Sequence, residues 1–476
     1  MHRLRTFRVG VAIGWLAMAA PPASAQLGER GTTGIAQPGG TSRSDNGADP
    51  PASAFWSALG DSTLNRLIDR ALRSNLDLRV ADARMDGAGA ARLQAGLDLV
   101  PSVSARAGYT RQRLANATFP GTGGAALPDQ NVWDSGLAAS WELDLFGRLR
   151  SAVRARSALV GSAGEDVRDT RVSVAAQVAR TYFDLRGTQG QLAVARRNAD
   201  NQRRTLELTQ RRLEAGRGTE FDTERARAQL SFTLAAVPAL ESRIAEAQYR
   251  IAVLLGRPPE ELASELAVAG PLPELPEHVP AADHFEVVRM RPDVRSAEAR
   301  VAASRALVRS ARADYLPRIS LVAGAGYAAN AVDAFGNSGT FNYSLGPVIS
   351  WAAFDIGRVR ARVDQSQAQE REARAQYEHV VLLAREEVEA ATVRYRTARA
   401  RLEHLRQAAA ASERAAALAT LRYEGGMEDF LQVLDAERTL LEAQDQLAQG
   451  ETLAAAAYVE LYRARGALWP ADPVRN

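Results

Sequence analysis

The sequence contains no cysteine and no lysine, so arginine supplies all of its side-chain positive charge apart from histidine. Without cysteine, no disulfide stabilises the fold and no lipid is attached to an N-terminal cysteine. Aromatic residues are only 6% of the chain. Beyond the N-terminus there is no uncharged apolar run of about 18 residues, which argues against a membrane-spanning helix. The fold must therefore depend on packing or on assembly.

The chain also lacks a basic surplus. Its formal net charge is +3 over 476 residues. Residues 1–25 contain Arg3, Arg5 and Arg8 and no acidic residue, so this segment accounts for the whole excess. A nucleic-acid-binding protein needs a positively charged face. No nucleic-acid partner is expected.

The N-terminus has the pattern of a secretory signal. Three arginines precede a short apolar core, and Ala23-Ser24-Ala25 forms a small-residue cleavage site before Gln26. We therefore predict a signal peptide over residues 1–25. Residues 26–54 are rich in Gly, Ser, Thr and Pro, which predicts a flexible mature extension.

Catalytic motifs are missing. The sequence has no phosphate-binding loop and no nucleophile elbow. Five histidines are scattered and none has metal-ligand spacing to acids: His2, His278, His284, His379 and His404. We expect neither an enzyme nor a metal or other cofactor.

The sequence contains an internal repeat. "WELDLFGRLR" (residues 141–150) recurs as "WAAFDIGRVR" (residues 351–360), an offset of 210 residues, and upstream blocks recur at an offset of 216. Such self-similarity is the signature of a repeat. We predict two halves, residues 55–270 and 271–476. Each reads helix, strand, loop, strand, long helix, turn, helix.

Four segments alternate apolar and polar residues with period two, which predicts strands at about residues 100–113, 131–145, 317–328 and 340–353. Aromatic residues mark the ends of their apolar faces, as at the two interfaces of a bilayer. A half-buried soluble sheet alternates in the same way. If the strands span a membrane, four cannot close a barrel, so several chains must share one. A dimer gives eight strands and a trimer twelve, with room for a pore.

Two long helical hairpins are predicted at residues 148–255 and 358–467. Sustained seven-residue spacing predicts coiled packing. The spacing runs through Val178, Leu185, Leu192, Ala199, Leu206 and Leu213, and again through Val388, Tyr395, Leu402, Ala409, Ala416 and Tyr423. The hairpin turns contain Gly216, Gly218, Gly425 and Gly426. Gly147 and Gly357 are predicted at the strand-to-helix junctions, and Pro101 and Pro317 at the helix-to-strand junctions. The proline-rich connection from residue 256 to 284 is expected to form a collar on the helices.

These motifs, with "LLGRPPEEL" and "RYEGGMEDFLQVLDAERTLL", resemble the TolC-like outer-membrane efflux family, and specifically partners of resistance–nodulation–division pumps. The resemblance implies a mostly α fold with a small β part. It implies a homotrimer whose 12-stranded outer-membrane β-barrel continues into a 12-helix α-barrel. It also implies a passive exit duct for small molecules, in contact with outer-membrane lipid, a periplasmic adaptor and an inner-membrane proton-driven pump. Many relatives carry a lipidated cysteine where this chain has Gln26, so this member is expected to be unlipidated.

The resemblance also implies a gate at the periplasmic helix tips and an adaptor-facing role for the four tip glycines. The matching positions, which we call the gate residues, are Tyr423, Glu428, Gln432, Asp435 and Arg438. Asp435 matches an aspartate that forms an acidic ring around the axis in relatives. Gln432 replaces a second family aspartate, and Glu428 stands where some members have arginine. The scheme of partners in the closed gate is therefore left open.

Two alternatives are kept. One is a type I protein-secretion duct of the same fold, which would differ in its cargo. The other is a soluble periplasmic coiled-coil adaptor, which would have no lipid-facing strands.

Overall fold

The computed structural model describes residues 52–113, 129–262, 264–276 and 284–466, all within one unit that spans Asp49–Asn476. The predicted signal peptide and most of the predicted extension lie outside the described residues. Helix α1 (Ala52–Ser57) begins inside the segment predicted as the flexible extension.

The described residues form nine α-helices and four strands in two similar series. The first series is α1, α2 (Ser62–Ser74), α3 (Leu76–Leu97), β1 (Ser102–Gln112), β2 (Gln130–Glu142), α4 (Arg148–Glu214) and α5 (Glu220–Leu254). The second is α6 (His284–Met290), α7 (Pro292–Ala313), β3 (Arg318–Ala329), β4 (Phe341–Ser350), α8 (Ile356–Glu424) and α9 (Phe430–Ala464). The predicted fold class, mostly α with a small four-stranded part, is confirmed.

The helix starts follow from local side chains. The carboxylate of Asp61 accepts from the backbone N–H groups of Thr63 and Leu64, and Asn75 does the same for the first turn of α3. Pro292 occupies the first turn of α7, where its missing N–H leaves no helical bond unmade. These caps set where the short helices begin relative to the long ones.

The two long helices use the predicted seven-residue seam. In α8, all six predicted positions are buried. In α4, Val178, Leu185, Leu192 and Ala199 are buried, Leu206 is half-buried and Leu213 is exposed. α4 has 67 residues and α8 has 69. At 1.5 Å per residue each is about 100 Å long.

The strands form one antiparallel sheet in the order β1-β2-β3-β4. In β1–β2, Ser102 lies opposite Ser140; in β3–β4, Arg318 lies opposite Ser350. Chain order and spatial order coincide, so β1 and β4 are both edges. Nothing within the described part of the chain covers the outer backbone groups of either edge strand.

The main core lies where α1 and α2 pack against the middle of the long helices. Trp56 is fully buried, with its ring centroid 4.6 Å from that of Tyr462. Phe55 stacks on Tyr458 at 4.9 Å between centroids. Large rings bury much apolar area, so this cluster joins the N-terminal helix to α9.

Among the described residues, no helix combines the length and the hydropathy that crossing a membrane requires.

Candidate functional site

The two hairpin tips share one backbone design. α4 and α8 each end in a glycine with positive φ, Gly216 at +67° and Gly426 at +73°. The N–H of Arg217 donates to the carbonyl of Arg212 at 2.8 Å, and the equivalent bond from Met427 to Arg422 is 2.9 Å. A left-handed glycine of this kind satisfies the last carbonyls of a helix. Gly425 closes α8 in ordinary helical conformation, and Gly218 also lacks a positive φ.

A small apolar cluster holds the two tips together. Tyr423 is 5% exposed and packs against Phe430, with Val433 and Ala226 beside them. The guanidinium carbon of Arg212 lies 3.9 Å from the centroid of the Tyr423 ring. An Nη2 hydrogen of Arg212 also donates to the Tyr423 carbonyl at 2.6 Å. Thus α4 is joined to the end of α8 through one arginine.

The gate residues do not form one cluster within a single chain. Tyr423 is buried in the tip cluster, whereas Glu428 pairs with Arg422 at 3.0 Å. Asp435 and Arg438 are exposed on α9 and pair with each other at 3.3 Å. The backbone N–H of Gln432 donates to the N-cap carboxylate of Asp429 at 3.3 Å, and the Gln432 side chain is exposed.

The strand-to-helix junctions are alike in position but not in conformation. Gly147 has φ of +76° and caps α4. Gly357, its counterpart, lies in the first turn of α8 without a positive φ, and a Cβ there would meet no atom within 4 Å. Gly357 thus lies at the predicted junction, but the chain turns before it, at residues 351–355 between β4 and α8. Pro101 and Pro317 do lie between helix and strand.

A pair of tryptophans repeats across the junctions. The Trp141 indole N–H donates to the carbonyl of Leu99 at 2.9 Å, and the Trp351 indole donates to the carbonyl of Tyr315 at 3.0 Å. The donors are 210 residues apart and the acceptors 216, so the two halves repeat at this atomic detail. Each ring anchors the end of one strand to the start of its neighbour.

Sequence reasoning missed a polar seam between α4 and α9. The Asn198 amide donates to Gln444 at 3.0 Å, and the Thr205 hydroxyl donates to Glu437 at 2.6 Å. The two donors on α4 are seven residues apart, and so are the two acceptors on α9, where the numbering runs in the opposite direction. The apolar seven-residue spacing does not include these residues, but the same spacing among polar residues of α4 and α9 is the signal that could have revealed the seam.

Glu437 is the titratable group of this polar seam. Burial raises the pKa of its carboxyl, and the hydrogen bond from Thr205 partly opposes the shift. Gln202 is buried beside it, and its Oε1 accepts no hydrogen bond within the described residues. The contact between α4 and α9 is therefore polar and costly to keep dry.

The collar, described over residues 264–276, is held by side chains of both long helices. From α4, Arg186 donates to the carbonyl of Val268 at 2.5 Å, and Gln189 donates to that of Leu266 at 3.0 Å. From α8, Arg399 donates to the carbonyl of Leu275 at 2.9 Å. The Tyr395 hydroxyl donates to Pro276 at 2.5 Å, and burial raises the pKa of that phenol to about 12. The connection thus bridges both halves, as a collar should.

Within the described ranges, no three His, Cys, Asp or Glu side chains lie close enough together to hold a metal ion.

Comparison with known proteins identifies the family. The family model described as "Outer membrane efflux protein" matches residues 67–257 and 286–467. The chain is 32% identical over 425 residues to the pyoverdine export outer membrane protein OpmQ of Pseudomonas aeruginosa, covering 88% of each chain. It is 32% identical over 440 residues to the toluene efflux pump outer membrane protein TtgI of Pseudomonas putida, covering 90% of each.

Among solved structures, the outer-membrane channel OprN superposes with a TM-score of 0.82 at 40% identity. The match covers 88% of this chain and 93% of OprN. This chain belongs to the outer membrane efflux protein family.

As an outer membrane efflux protein, it is located in the outer membrane and serves export. Of the two matched segments of the family model, one lies within residues 55–270 and the other within residues 271–476. The soluble adaptor alternative is therefore wrong, since the relatives that this chain matches over 88% and 90% of their length are named as outer membrane proteins.

Proposed function

We propose that this outer membrane efflux protein works as a homotrimeric, passive exit duct of a tripartite efflux system. The observation that carries the proposal is the sheet with two open edges. A sheet edge in lipid leaves backbone N–H and C=O groups without partners, at a cost of several kcal/mol for each group. Pairing with further copies removes both edges. Three copies would supply twelve strands, enough for a barrel with an open interior.

The aromatic residues at the strand ends support contact with lipid. Tyr109 and Trp133 pack with ring centroids 4.5 Å apart, and Tyr327 and Phe341 with centroids 5.6 Å apart. Tyr109, Tyr327 and Phe341 are exposed to a large extent in the single chain. Aromatic girdles at both interfaces are typical of outer-membrane barrels.

The partners are proposed from the form of the helical tips. Both tips end in short glycine turns with neighbouring exposed apolar side chains, Phe221 and Met427. We propose that a periplasmic adaptor docks on these tips and connects the duct to an inner-membrane proton-driven pump. Gly216, Gly218, Gly425 and Gly426 would then lie at the contact.

Cargo is proposed to be small molecules. Relatives of about one-third identity are named for pyoverdine export and for toluene efflux. A polypeptide cargo remains the second candidate, since the same duct would serve it. Deleting the gene separates the two: loss of small-molecule efflux should raise intracellular accumulation of a fluorescent dye, whereas a protein-secretion duct would instead lose a protein from the culture medium.

Assembly and conduction test the duct itself. The purified protein should require detergent, have the mass of three chains by light scattering, and conduct ions in planar lipid bilayers. A monomer that stays soluble in aqueous buffer would overturn the proposal.

Opening is proposed to depend on the gate residues. Three copies of Asp435 near one axis would repel one another and attract cations. Replacing Asp435 with Ala should therefore raise the single-channel conductance of the resting state severalfold and weaken its dependence on divalent cations. Asp445→Ala removes an acid ten residues further along α9. It is the matched control and should leave conductance unchanged. Equal conductance in all three proteins would remove Asp435 from the gate.

A further inference from the structure

The two hairpins of the sheet pair in registers that the repeat offsets relate. In β1–β2, partner residue numbers run from Ser102 with Ser140 to Gln112 with Gln130. Adding 216 to each β1 residue and 210 to each β2 residue gives the β3–β4 register, for example Arg318 with Ser350, as observed. The sequence offsets therefore carry one strand pairing onto another without a shift.

The joint between the halves, β2–β3, has no counterpart within the chain. Its register runs from Trp133 with Ala329 to Glu142 with Ser320. Adding 210 to a β2 residue gives its counterpart in β4, and subtracting 216 from a β3 residue gives its counterpart in β1. The β2–β3 register therefore predicts a register between β4 and a β1 strand. The only β1 available to follow β4 belongs to another copy. We propose that β4 pairs with β1 of the neighbouring copy in this transferred register, which places Ser350 opposite Arg106 and Ser344 opposite Gln112.

This inference rests on the proposed assembly and adds its strand register. Backbone direction provides an independent check. The N–H of Leu143 donates to the carbonyl of Ile319. The odd-numbered residues of β2 and β3 therefore direct their backbone N–H and C=O groups toward each other. The N–H of Ala328 donates to the carbonyl of Thr340, so even-numbered residues of β3 and β4 face each other.

Alternation along each strand then fixes which backbone groups the edges present. Odd-numbered residues of β1 and of β4 point their N–H and C=O groups outward. The transferred register pairs odd residues with odd residues, as an antiparallel ladder requires. Pro347 is one of the outward-facing residues, so its missing N–H leaves the β3–β4 ladder complete. Opposite it the register places Tyr109 of the neighbouring copy, and this pair makes one hydrogen bond instead of two.

The helices above the sheet point to the same neighbour. α7 packs against both α4 and α8, whereas α3, its repeat counterpart, packs against α4 and makes no comparable contact with α8 among the described residues. Ser296 on α7 is 2% exposed, with its hydroxyl 2.9 Å from Ser162 of α4. Its counterpart Val80 on α3 is 48% exposed. A second copy that brings its α8 to this face covers Val80.

Charge supports this docking. Arg300 donates to the Ser162 hydroxyl at 3.1 Å across the α4–α7 contact. By the repeat offsets, Arg84 is the counterpart of Arg300 and Glu372 is the counterpart of Ser162. The corresponding contact between copies therefore joins Arg84 of one copy to Glu372 of its neighbour. Both side chains are exposed, and neither makes an ion pair within the described residues. The transferred contact thus brings together opposite charges.

Cysteine cross-linking tests the register, and the natural chain has no cysteine to interfere. In the transferred register Ser350 and Arg106 form a non-hydrogen-bonded pair, whose close Cβ atoms suit a disulfide. The double variant Ser350→Cys/Arg106→Cys should give covalently linked trimers on a non-reducing gel. Ser350→Cys/Ser104→Cys and Ser350→Cys/Gly108→Cys, shifted by two residues either way, should link roughly tenfold more slowly, because diagonal neighbours are about 7–8 Å apart.

Two controls make the outcome decisive. Ser140→Cys/Val322→Cys, the same pair at the β2–β3 joint, should form its disulfide within one chain. Ser344→Cys/Gln112→Cys should link chains as Ser350→Cys/Arg106→Cys does. Faster linking of a shifted pair would overturn the register while leaving the trimer intact. If no interchain pair forms a disulfide although the protein has trimeric mass, the register is likewise overturned. A monomeric mass would instead refute the proposed assembly.

The helix contact has its own test. Arg84→Glu should lower the temperature at which trimers dissociate in SDS, and adding Glu372→Arg should restore it. An unchanged dissociation temperature in Arg84→Glu, or a further loss in the double variant, would contradict the proposed contact.

Discussion

At the scale of single residues, one glycine sets how closely two helices approach. A Cβ built on Gly187 of α4 would lie 1.9 Å from the hydroxyl oxygen of Thr452 on α9. Three residues further on, a Cβ on Gly190 would meet no atom within 4 Å. The two glycines therefore have different roles in the same helix.

The substitution Gly187→Ala should destabilise the protein by about 1–3 kcal/mol, because overpacking forces α4 and α9 apart. Gly190→Ala is the control and should be neutral or stabilising by about 0.5–1 kcal/mol, since alanine favours the helix. Thermal unfolding of the detergent-solubilised protein measures both. A loss from Gly190→Ala as large as that from Gly187→Ala would contradict the packing argument.

Glu437 gives the polar seam a predictable pH dependence. Its carboxyl pKa is raised above the ordinary 4.5 in the folded state. The folded protein therefore holds this proton more tightly than the unfolded chain does. The stability that the proton contributes is present below pH 4.5 and is lost as pH rises through the raised folded-state pKa.

Glu437→Gln should therefore raise the Tm at neutral pH and reduce the loss of Tm between about pH 4.5 and 7, since a neutral amide still accepts from Thr205. Glu442→Gln, an exposed acid of the same helix, serves as the control and should leave the pH profile of the Tm unchanged. A lower Tm for Glu437→Gln at neutral pH would show that the charged form is the stabilising one.

At the scale of elements, the apolar pattern predicted the long helices well. The six seam positions of α8 are buried because only one face of that helix meets the rest of its chain, and a single heptad position marks this face. α4 is packed on several sides, so many of its buried residues, such as Arg186 and Gln189, are polar and lie outside any apolar pattern. Their partners are collar carbonyls, which no spacing rule reveals.

The ends of the strands were predicted less well. The second strand was expected to reach residue 145, but β2 ends at Glu142. Asp144 accepts instead from the backbone N–H groups of Leu149 and Arg150, so it caps α4 rather than extending the ladder. Alternation continues through a capping residue, and sequence alone does not distinguish the two uses.

The candidate site shows the same limit. The repeat placed Gly147 and Gly357 at equivalent positions, but identity of residue did not imply identity of φ. For the gate residues, the sequence placed Asp435 and Arg438 on one helical face and predicted that Arg438 pairs with an acid of an adjacent chain. Within one chain the two residues pair with each other, and the pairing between chains stays a prediction. Burial of Tyr423 under Arg212 depends on a contact between two distant helices, which local pattern does not encode.

At the scale of the whole molecule, the aromatic cluster around Trp56 should decide whether the N-terminal helices stay docked. Trp56→Ala removes a fully buried ring and should cost about 3–5 kcal/mol. Limited proteolysis should then cut before α2 while the long hairpins stay protected. Trp351→Ala, at an exposed ring at the junction between β4 and α8 and outside that core, is the comparison and should leave this cleavage site protected.

The matching registers of the two hairpins bear on how assembly responds to dilution. One polypeptide brings the β2–β3 joint already closed, at an effective concentration that does not fall when the protein is diluted. Only the β4–β1 joints require separate molecules to meet, and each meeting gives up translational freedom. A half-length ancestor with one hairpin would have had to make every joint by collision. The internal repeat thus makes half of the joints between hairpins in the ring events within one molecule instead of encounters between molecules.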